Sequence, residues 1–146
     1  EVVDLSVGNP QCVVLGRPVT DDELCRIGPA IGTDPSFPAG TNVELVEVES
    51  STRIRILIWE RGVGPTEASG TGACASVVAA ALYGGASRDV DVVSPGGRST
   101  WPGLTRAFGL PGGRRWYSSA AGTAECDRGG RHGDCRSVGA DRYEVR

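Results

Sequence analysis

No methionine occurs among the 146 residues, and all fifteen basic residues are arginine, so lysine is absent as well. The missing methionine predicts that the chain does not begin at its own start codon, and we therefore expect a fragment or a processed product. The missing lysine indicates a GC-rich coding sequence rather than a functional demand on side-chain chemistry.

Long apolar runs are also absent. None approaches the roughly 18 to 20 residues that span a membrane, and the first residues lack the pattern of a secretory signal. The formal net charge of −3 and the pI near 5.2 argue against an electrostatic nucleic-acid binder. The five cysteines are an odd number, and their spacings suggest no disulfide framework. We therefore expect a cytoplasmic protein that has neither a membrane nor a nucleic acid as its partner.

Composition divides the chain into two parts. Residues 1–96 contain 27 Ile, Leu, Val or Phe, with 13 acidic residues and six arginines. Residues 97–146 contain five such apolar residues, with five acidic residues and nine arginines. The second part cannot bury enough apolar area to offset its conformational entropy. We predict a folded domain over residues 1–97 and an atypical Arg/Gly-rich tail over residues 98–146.

The tail is expected to be disordered or to derive from a shifted reading frame. An authentic basic tail that binds a partner is the alternative. Cys126, His132 and Cys135 supply only three candidate zinc ligands, at a spacing that matches no common site, so we expect no metal.

Hydrophobic periodicity predicts an α+β fold. Thr20, followed by three acidic residues, predicts the N-cap of a helix that ends before Gly28. A second helix begins near Ser69 and has no polar face over residues 73–82, which predicts burial on all sides. The predicted outline is a mixed or antiparallel sheet wrapped around one central buried helix. Its predicted strands cover residues 2–7, 12–15, 43–49, 53–60 and 90–93, with a hairpin connection at residues 50–52.

Residues 59–75 carry the most informative pattern. A strand ends in Glu60 and Arg61, and a glycine-rich loop then leads into the buried helix. Backbone N–H groups at a helix start, with the helix dipole behind them, form an anion site. The glycines on both sides of Thr71 allow a ligand to approach the backbone. Arg61 can add a bidentate contact to a carboxylate, and Ser69 is expected to point at the same place.

A simpler alternative is a capped helix in which Ser69 serves only as the N-cap, because serine is among the best N-cap residues. A P-loop or dinucleotide site fits poorly, since neither the Walker spacing nor the full G-x-G-x-x-G context is present. Cys74 follows Ser69 by five residues, which is about 140° around a helix and roughly 7 Å along it. We therefore expect Cys74, like Cys12 and Cys25, to serve in core packing.

The segment at residues 59–75 resembles the second catalytic motif of the diaminopimelate epimerases, which are cofactor-independent amino-acid racemases. The resemblance extends in order and spacing over residues 2–97. Its further motifs are Gly8-Asn9-Pro10-Gln11-Cys12, which resembles the family's Gly-Asn-Pro-His-Cys, then Phe37-Pro38, Thr41-Asn42-Val43-Glu44 and Ser94-Pro95-Gly96-Gly97.

The resemblance implies a two-domain protein in which each domain wraps a sheet around a central helix and the active site lies between the domains. It implies that two cysteines, one from each domain, invert one α-carbon of diaminopimelate in lysine and peptidoglycan synthesis. It implies no cofactor and no metal. Because this chain resembles the C-terminal domain, the expected partners are a missing N-terminal domain, an amino-acid substrate and, as an assembly, a second copy in a homodimer.

The resemblance also implies site residues. Asn9 and Asn42 are implied to bind the distal ammonium and carboxylate end of the substrate. Glu60 and Arg61 are implied to bind at its polar groups, and Glu60 also supports the catalytic thiol. We treat Glu60 as a candidate catalytic residue and all four as candidate substrate ligands.

The helix start completes the implied site. The resemblance implies that the backbone N–H groups of Gly70 and Thr71 hold the α-carboxylate and so stabilise a carbanion-like transition state. Two candidate catalytic positions depart from the family pattern: Ser69 stands where the family has its second cysteine, and Gln11 stands where it has a histidine. A serine hydroxyl is a far weaker acid than a thiol, and a glutamine side chain cannot carry a proton.

The preferred function is therefore an isomerase of the diaminopimelate epimerase type, with this chain inactive on its own. Related racemases of the same fold resemble this chain in having Ser or Thr at one cysteine position, so a one-thiol dehydratase or another amino-acid isomerase is an alternative. A non-catalytic remnant or binding module is the other alternative.

Overall fold

The computed structural model describes residues 1–101, and these residues form seven strands and two helices. The predicted tail, including Cys126, His132 and Cys135, lies outside the described residues apart from residues 98–101. In chain order the elements are β1 Val2–Ser6, β2 Pro10–Leu15, α1 Asp21–Gly32, β3 Asn42–Ser50, β4 Arg53–Glu60, β5 Gly64–Thr66, α2 Gly70–Tyr83, β6 Val90–Ser94 and β7 Gly97–Trp101.

All seven strands belong to one mixed sheet with the order β1-β2-β3-β4-β6-β7, and β5 pairs with the end of β4. The pairs β2–β3 and β4–β6 are parallel, and the remaining pairs are antiparallel. A parallel pair needs a crossover connection, and α1 and α2 supply the two crossovers. Because the chain reverses between β3 and β4, right-handed crossovers place the two helices on opposite faces of the sheet.

The α2 face holds the larger core. Every residue of α2 from Gly72 to Ala80 is buried, which confirms the predicted central helix. The sheet wraps around it and contributes alternate residues of its strands, as the period of two requires. The strand residues of this cluster include Val3, Leu5, Val13, Val46, Ile54, Ile56, Ile58, Val92 and Trp101.

The α1 face holds a smaller core, and here one predicted boundary is wrong. Thr20 is the N-cap as predicted, and its hydroxyl accepts a hydrogen bond from the Glu23 N–H at 3.2 Å. The helix does not end before Gly28 but continues through Pro29 to residue 32. Gly28 packs directly on Trp59, because a Cβ there would lie 2.7 Å from the indole ring. This contact with β4 holds the helix together past a residue that removes one helical N–H.

The three described cysteines differ in their environment. Cys12 and Cys74 are fully buried, which confirms the predicted packing role. Cys25 is exposed on the outer side of α1, so the prediction that it lies in the core is wrong. The buried residue of that helix turn is Leu24, and its neighbour faces solvent because successive helical residues are about 100° apart.

Two strands occur where none is predicted. β5 forms within the segment expected to be a loop, and it pairs Pro65 with Trp59. β7 pairs with β6 from Gly97 to Trp101, so regular structure extends four residues beyond residue 97. Trp101 packs into the core of the α2 face and is 4% exposed.

Candidate functional site

Polar residues meet at one edge of the sheet. The parallel strands β2 and β3 both begin at this edge, where Gln11 pairs with Asn42. β4 runs antiparallel to β3 and ends at the same edge with Glu60. α2 begins nearby, because the carboxyl of Glu44 on β3 lies against its first turn at Gly72. The topology therefore brings the residues predicted from three separate motifs to one end of the molecule.

Three amide side chains form a continuous hydrogen-bonded chain at this edge. Gln11 Nε2 donates to Asn9 Oδ1 at 2.8 Å, and Asn42 Nδ2 donates to Gln11 Oε1 at 3.3 Å. The backbone N–H of Arg61 donates to Asn42 Oδ1 at 2.8 Å. The two asparagine oxygens thus accept hydrogen bonds within the protein. Binding of a substrate by the asparagine N–H groups stays a prediction.

Gln11 is the centre of this chain and has no exposed surface, while Asn42 is 4% exposed and Asn9 is half-buried. A fully buried side chain does not touch a ligand in this arrangement. The two hydrogen bonds of Gln11 therefore connect the side chains of Asn9 and Asn42. Its predicted place in the chemistry itself stays a prediction.

Glu60 and Arg61 lie side by side at the end of β4 but have different surroundings. Glu60 is half-buried, whereas Arg61 is exposed. The Arg61 Nη1 donates to the carbonyl of Ala39 at 2.7 Å and lies 3.5 Å from that of Gly40. The Arg61 guanidinium is thus bound to the loop before β3, and the Arg61 backbone N–H is hydrogen-bonded to the row of three amide side chains. Contact of Arg61 with a substrate carboxylate stays a prediction.

The start of α2 has the geometry expected of an anion site. Ser69 is the N-cap in an extended conformation, and its Oγ accepts a hydrogen bond from the Gly72 N–H at 3.2 Å. The Ser69 Oγ also lies 3.3 Å from the hydroxyl oxygen of Thr71. The N–H groups of Gly70 and Thr71 have no acceptor within the helix, because first-turn donors never do. Ser69 is therefore a cap, and the binding of an anion by the two backbone N–H groups beside it stays a prediction.

Glu44 is the last residue of the Thr41-Asn42-Val43-Glu44 motif, and no site role is predicted for its side chain. Its side chain is fully buried on the α2 face, and neither carboxyl oxygen has a hydrogen-bond partner among residues 1–101. Burial raises the pKa of Glu44 well above its usual range and so favours the protonated, neutral form of the carboxyl. The alternation along β3 indicates that Glu44 points into the core around α2, because it shares its face of the strand with Val46 and Val48.

The buried thiols do not replace a cysteine at the helix start. Burial, and to a lesser extent the nearby acids Glu44, Asp4 and Asp34, raises the pKa of Cys12 to about 12. Cys74 lies in the packed middle of α2. Within residues 1–101 there is no group of three His, Cys, Asp or Glu that could hold a metal ion. No helix in that part of the chain is both long and apolar enough to cross a membrane.

Residues 4–101 match the family model described as diaminopimelate epimerase. The chain belongs to this family. It is 51% identical over 96 residues to the diaminopimelate epimerase of Desulforudis audaxviator, and 50% identical over 97 residues to that of Desulfovibrio desulfuricans. Each alignment covers 66% of this chain and 34% of the relative. The chain thus spans about a third of the length of these curated diaminopimelate epimerases.

Solved structures bear out the predicted fold class. A phenazine biosynthesis protein of the PhzF family from Bacillus anthracis superposes with a TM-score of 0.51 at 18% identity, over 68% of this chain and 33% of that one. A PhzF-family protein from Enterococcus faecalis gives 0.50 at 11% identity, over 68% and 40%. At such identities the likeness shows only the fold. Together with the family match, it confirms an α+β domain of the diaminopimelate epimerase type.

Proposed function

We propose that this chain supplies one half of the active site of a cofactor-independent amino-acid epimerase that acts on diaminopimelate. The observation that carries the proposal is the pair of backbone donors at Gly70 and Thr71 beside a cluster of oriented amides. Membership of the diaminopimelate epimerase family supports the same substrate. The reaction belongs to lysine and peptidoglycan precursor synthesis, and the cysteine pattern supports a cytoplasmic setting.

The proposed mechanism uses the two ends of the substrate differently. The α-carboxylate binds the N–H groups of Gly70 and Thr71 at the start of α2. The positive end of the helix dipole there stabilises the negative charge that develops when the α-proton leaves. The remaining amide donors of Asn9 and Asn42 bind the distal end, and Gln11 keeps them oriented. The opposite face of the α-carbon requires an acid–base group from another domain, so we propose an N-terminal domain as the essential partner.

Ser69 is the weak point of this mechanism. It occupies the place where one proton must be removed or delivered, and a hydroxyl does this much less well than a thiol. Loss of an acid–base group typically costs about 10² to 10⁴ in rate. Because Cys12 and Cys74 are buried in packing positions, a second candidate function is a one-thiol reaction, either dehydration or isomerisation of another amino acid.

The test supplies the missing portion of the fold. The full 146-residue chain is expressed together with the part of the Desulforudis audaxviator relative that it does not match, and diaminopimelate is incubated in D2O. We expect solvent deuterium at the α-carbon without loss of substrate, at a rate that S69C raises about 10² to 10⁴-fold. S87C, which adds a thiol in the connection between α2 and β6, is the matched control and is expected to change nothing.

Two results would count against the proposal. If S69C and the parent both leave the α-hydrogen unexchanged in a folded complex, this chain does not supply half of an epimerase site. If a keto acid accumulates in place of the epimer, the one-thiol dehydratase is the correct function.

A further inference from the structure

The packing of the domain does not explain why the Glu44 carboxyl is buried without a hydrogen-bond partner among residues 1–101. Its two oxygens are the buried side-chain atoms without a hydrogen-bond partner in the part of the chain that the structure describes. An unpaired buried polar group destabilises a fold, and such groups are rare in native proteins. A role in the chemistry of the site gives a reason for keeping this one.

The position of Glu44 relative to Ser69 is defined by Gly72. A Cβ placed on Gly72 would lie 3.0 Å from Glu44 Oε1, 3.3 Å from Ser69 Cβ and 3.4 Å from Ser69 Oγ. The carboxyl and the hydroxyl therefore border the same small space behind the first turn of α2. A side chain at residue 72 would fill that space, and glycine leaves it open.

The surroundings of Glu44 favour the neutral form of its carboxyl. α2 has no acidic residue in its first turn and no basic residue in its last turn. On the α2 face of the sheet, β2 contributes the neutral Gln11, whereas Cys12 lies on the α1 face. β4 places Ile58 directly across from Glu44, with Glu60 two residues further along. None of these neighbouring groups is a cation that would favour the ionised form.

We propose that Glu44 stores the proton that Ser69 delivers to the substrate. This inference rests on the proposed epimerase function. As the Ser69 O–H bond breaks and a C–H bond forms at the carbanionic α-carbon, the Glu44 O–H proton passes to Ser69 Oγ. The serine ends as it began, and Glu44 becomes a carboxylate. Ser69 first has to turn its Oγ from the Gly72 N–H toward Glu44 Oε1.

The reverse sequence removes an α-proton, with the Glu44 carboxylate accepting the proton that leaves Ser69. Glu44 reaches the substrate only through Ser69, so it is a positioning residue rather than a catalytic one. The arrangement places beside the Ser69 hydroxyl a carboxyl group that can donate a proton to it or accept one from it.

The decisive experiment compares E44Q in two backgrounds of the two-part complex described above. With Ser69 present, we expect E44Q to slow deuterium incorporation at the α-carbon at least 100-fold. With S69C, we expect a loss of less than about threefold, because the thiol carries its own titratable proton. E67Q removes an exposed carboxyl just before the helix and is the matched control. A purely structural role for Glu44 would slow both backgrounds equally.

The protonation state is measured separately on the 146-residue chain alone. With carbon-13 in its glutamate carboxyls, the Glu44 signal is identified by its loss in E44Q and followed by NMR from pH 4 to pH 9. We expect a protonated carboxyl at pH 7. An ionised carboxyl at pH 7 would overturn the inference. If E44Q does not fold, a wild-type spectrum in which every glutamate carboxyl titrates near the usual value of about 4.3 overturns it as well, because no signal then belongs to a protonated Glu44.

The outcomes separate the two proposals. If the S69C complex incorporates deuterium and E44Q slows this incorporation equally in both backgrounds, the role of Glu44 is overturned and the epimerase function stands. Exchange with S69C but none with Ser69 also overturns it, since Ser69 then delivers no proton. Absence of exchange in every folded version overturns the function, and the role of Glu44 falls with it.

Discussion

At the scale of single residues, the buried acid Glu44 couples folding to protonation. Its pKa in the folded chain lies well above that of an unfolded glutamate, which is about 4.3. Between these two values the native state holds a proton that the unfolded state has released. The stabilising contribution is therefore fully present below about pH 4 and is lost as the pH rises through the folded pKa.

We predict that E44Q flattens this pH dependence, because the amide imitates the neutral carboxyl and does not titrate. Urea unfolding at pH values from 4 to 8 measures the effect: the free energy of unfolding of the wild type should fall relative to that of E44Q as the pH rises. E67Q, at an exposed position, should follow the wild-type curve. Parallel curves for wild type and E44Q would show that Glu44 is ionised in the folded chain.

The residue scale also shows what the sequence can and cannot reveal about the site. Ser69 is recognisable because a serine before a glycine-rich helix start is a strong local signal. The link from Gln11 to Asn42 is not recognisable, because it depends on the parallel pairing of strands that are far apart in sequence. Glu44 is missed because charged residues are seldom fully buried, although its strand alternation places it inward.

At the scale of elements, α2 depends on its N-cap more directly than on amphipathicity, because nearly all of its faces are apolar. The Ser69 hydroxyl accepts the Gly72 N–H, and replacing such a cap by alanine typically costs about 1 kcal/mol. We predict that S69A lowers the free energy of unfolding by about this amount, while S69D, which can also cap, loses much less. Chemical denaturation measures both, and equal losses would mean that the cap is not the cause.

The elements themselves follow the sequence where local signals and tertiary packing agree. The β3–β4 hairpin and the two helix starts are examples of such agreement. α1 extends past Gly28 and Pro29 because a tertiary contact with Trp59 outweighs two local helix breakers, and a single sequence does not show this contact. β5 is only three residues long, too short to show an alternating pattern.

At the scale of the whole molecule, β7 extends the folded domain past residue 97. Trp101 is 4% exposed and belongs to the core around α2, although it lies beyond residue 97. We predict that W101A lowers the free energy of unfolding by about 3 to 5 kcal/mol, as is typical for a buried tryptophan. Urea unfolding of the full chain measures this loss.

V63A is the control for this substitution, because Val63 is 72% exposed in the turn between β4 and β5. We expect it to change the free energy of unfolding by no more than about 0.5 kcal/mol. If W101A were as mild as V63A, the domain would end near residue 97, as the composition predicts, and β7 would be a marginal edge strand.

The mixed pairing of the sheet also has a consequence for the order of folding. β3 and β4 are joined by only two residues, and hairpins of this kind form within about 1 to 10 μs. The contact between Asn42 and the Arg61 N–H spans the open end of that hairpin, so we expect it among the early contacts. Gln11 can join only after the α1 crossover has closed, and Ser69 only after α2 has docked. The ligand site is therefore expected to assemble in stages, from the hairpin outward.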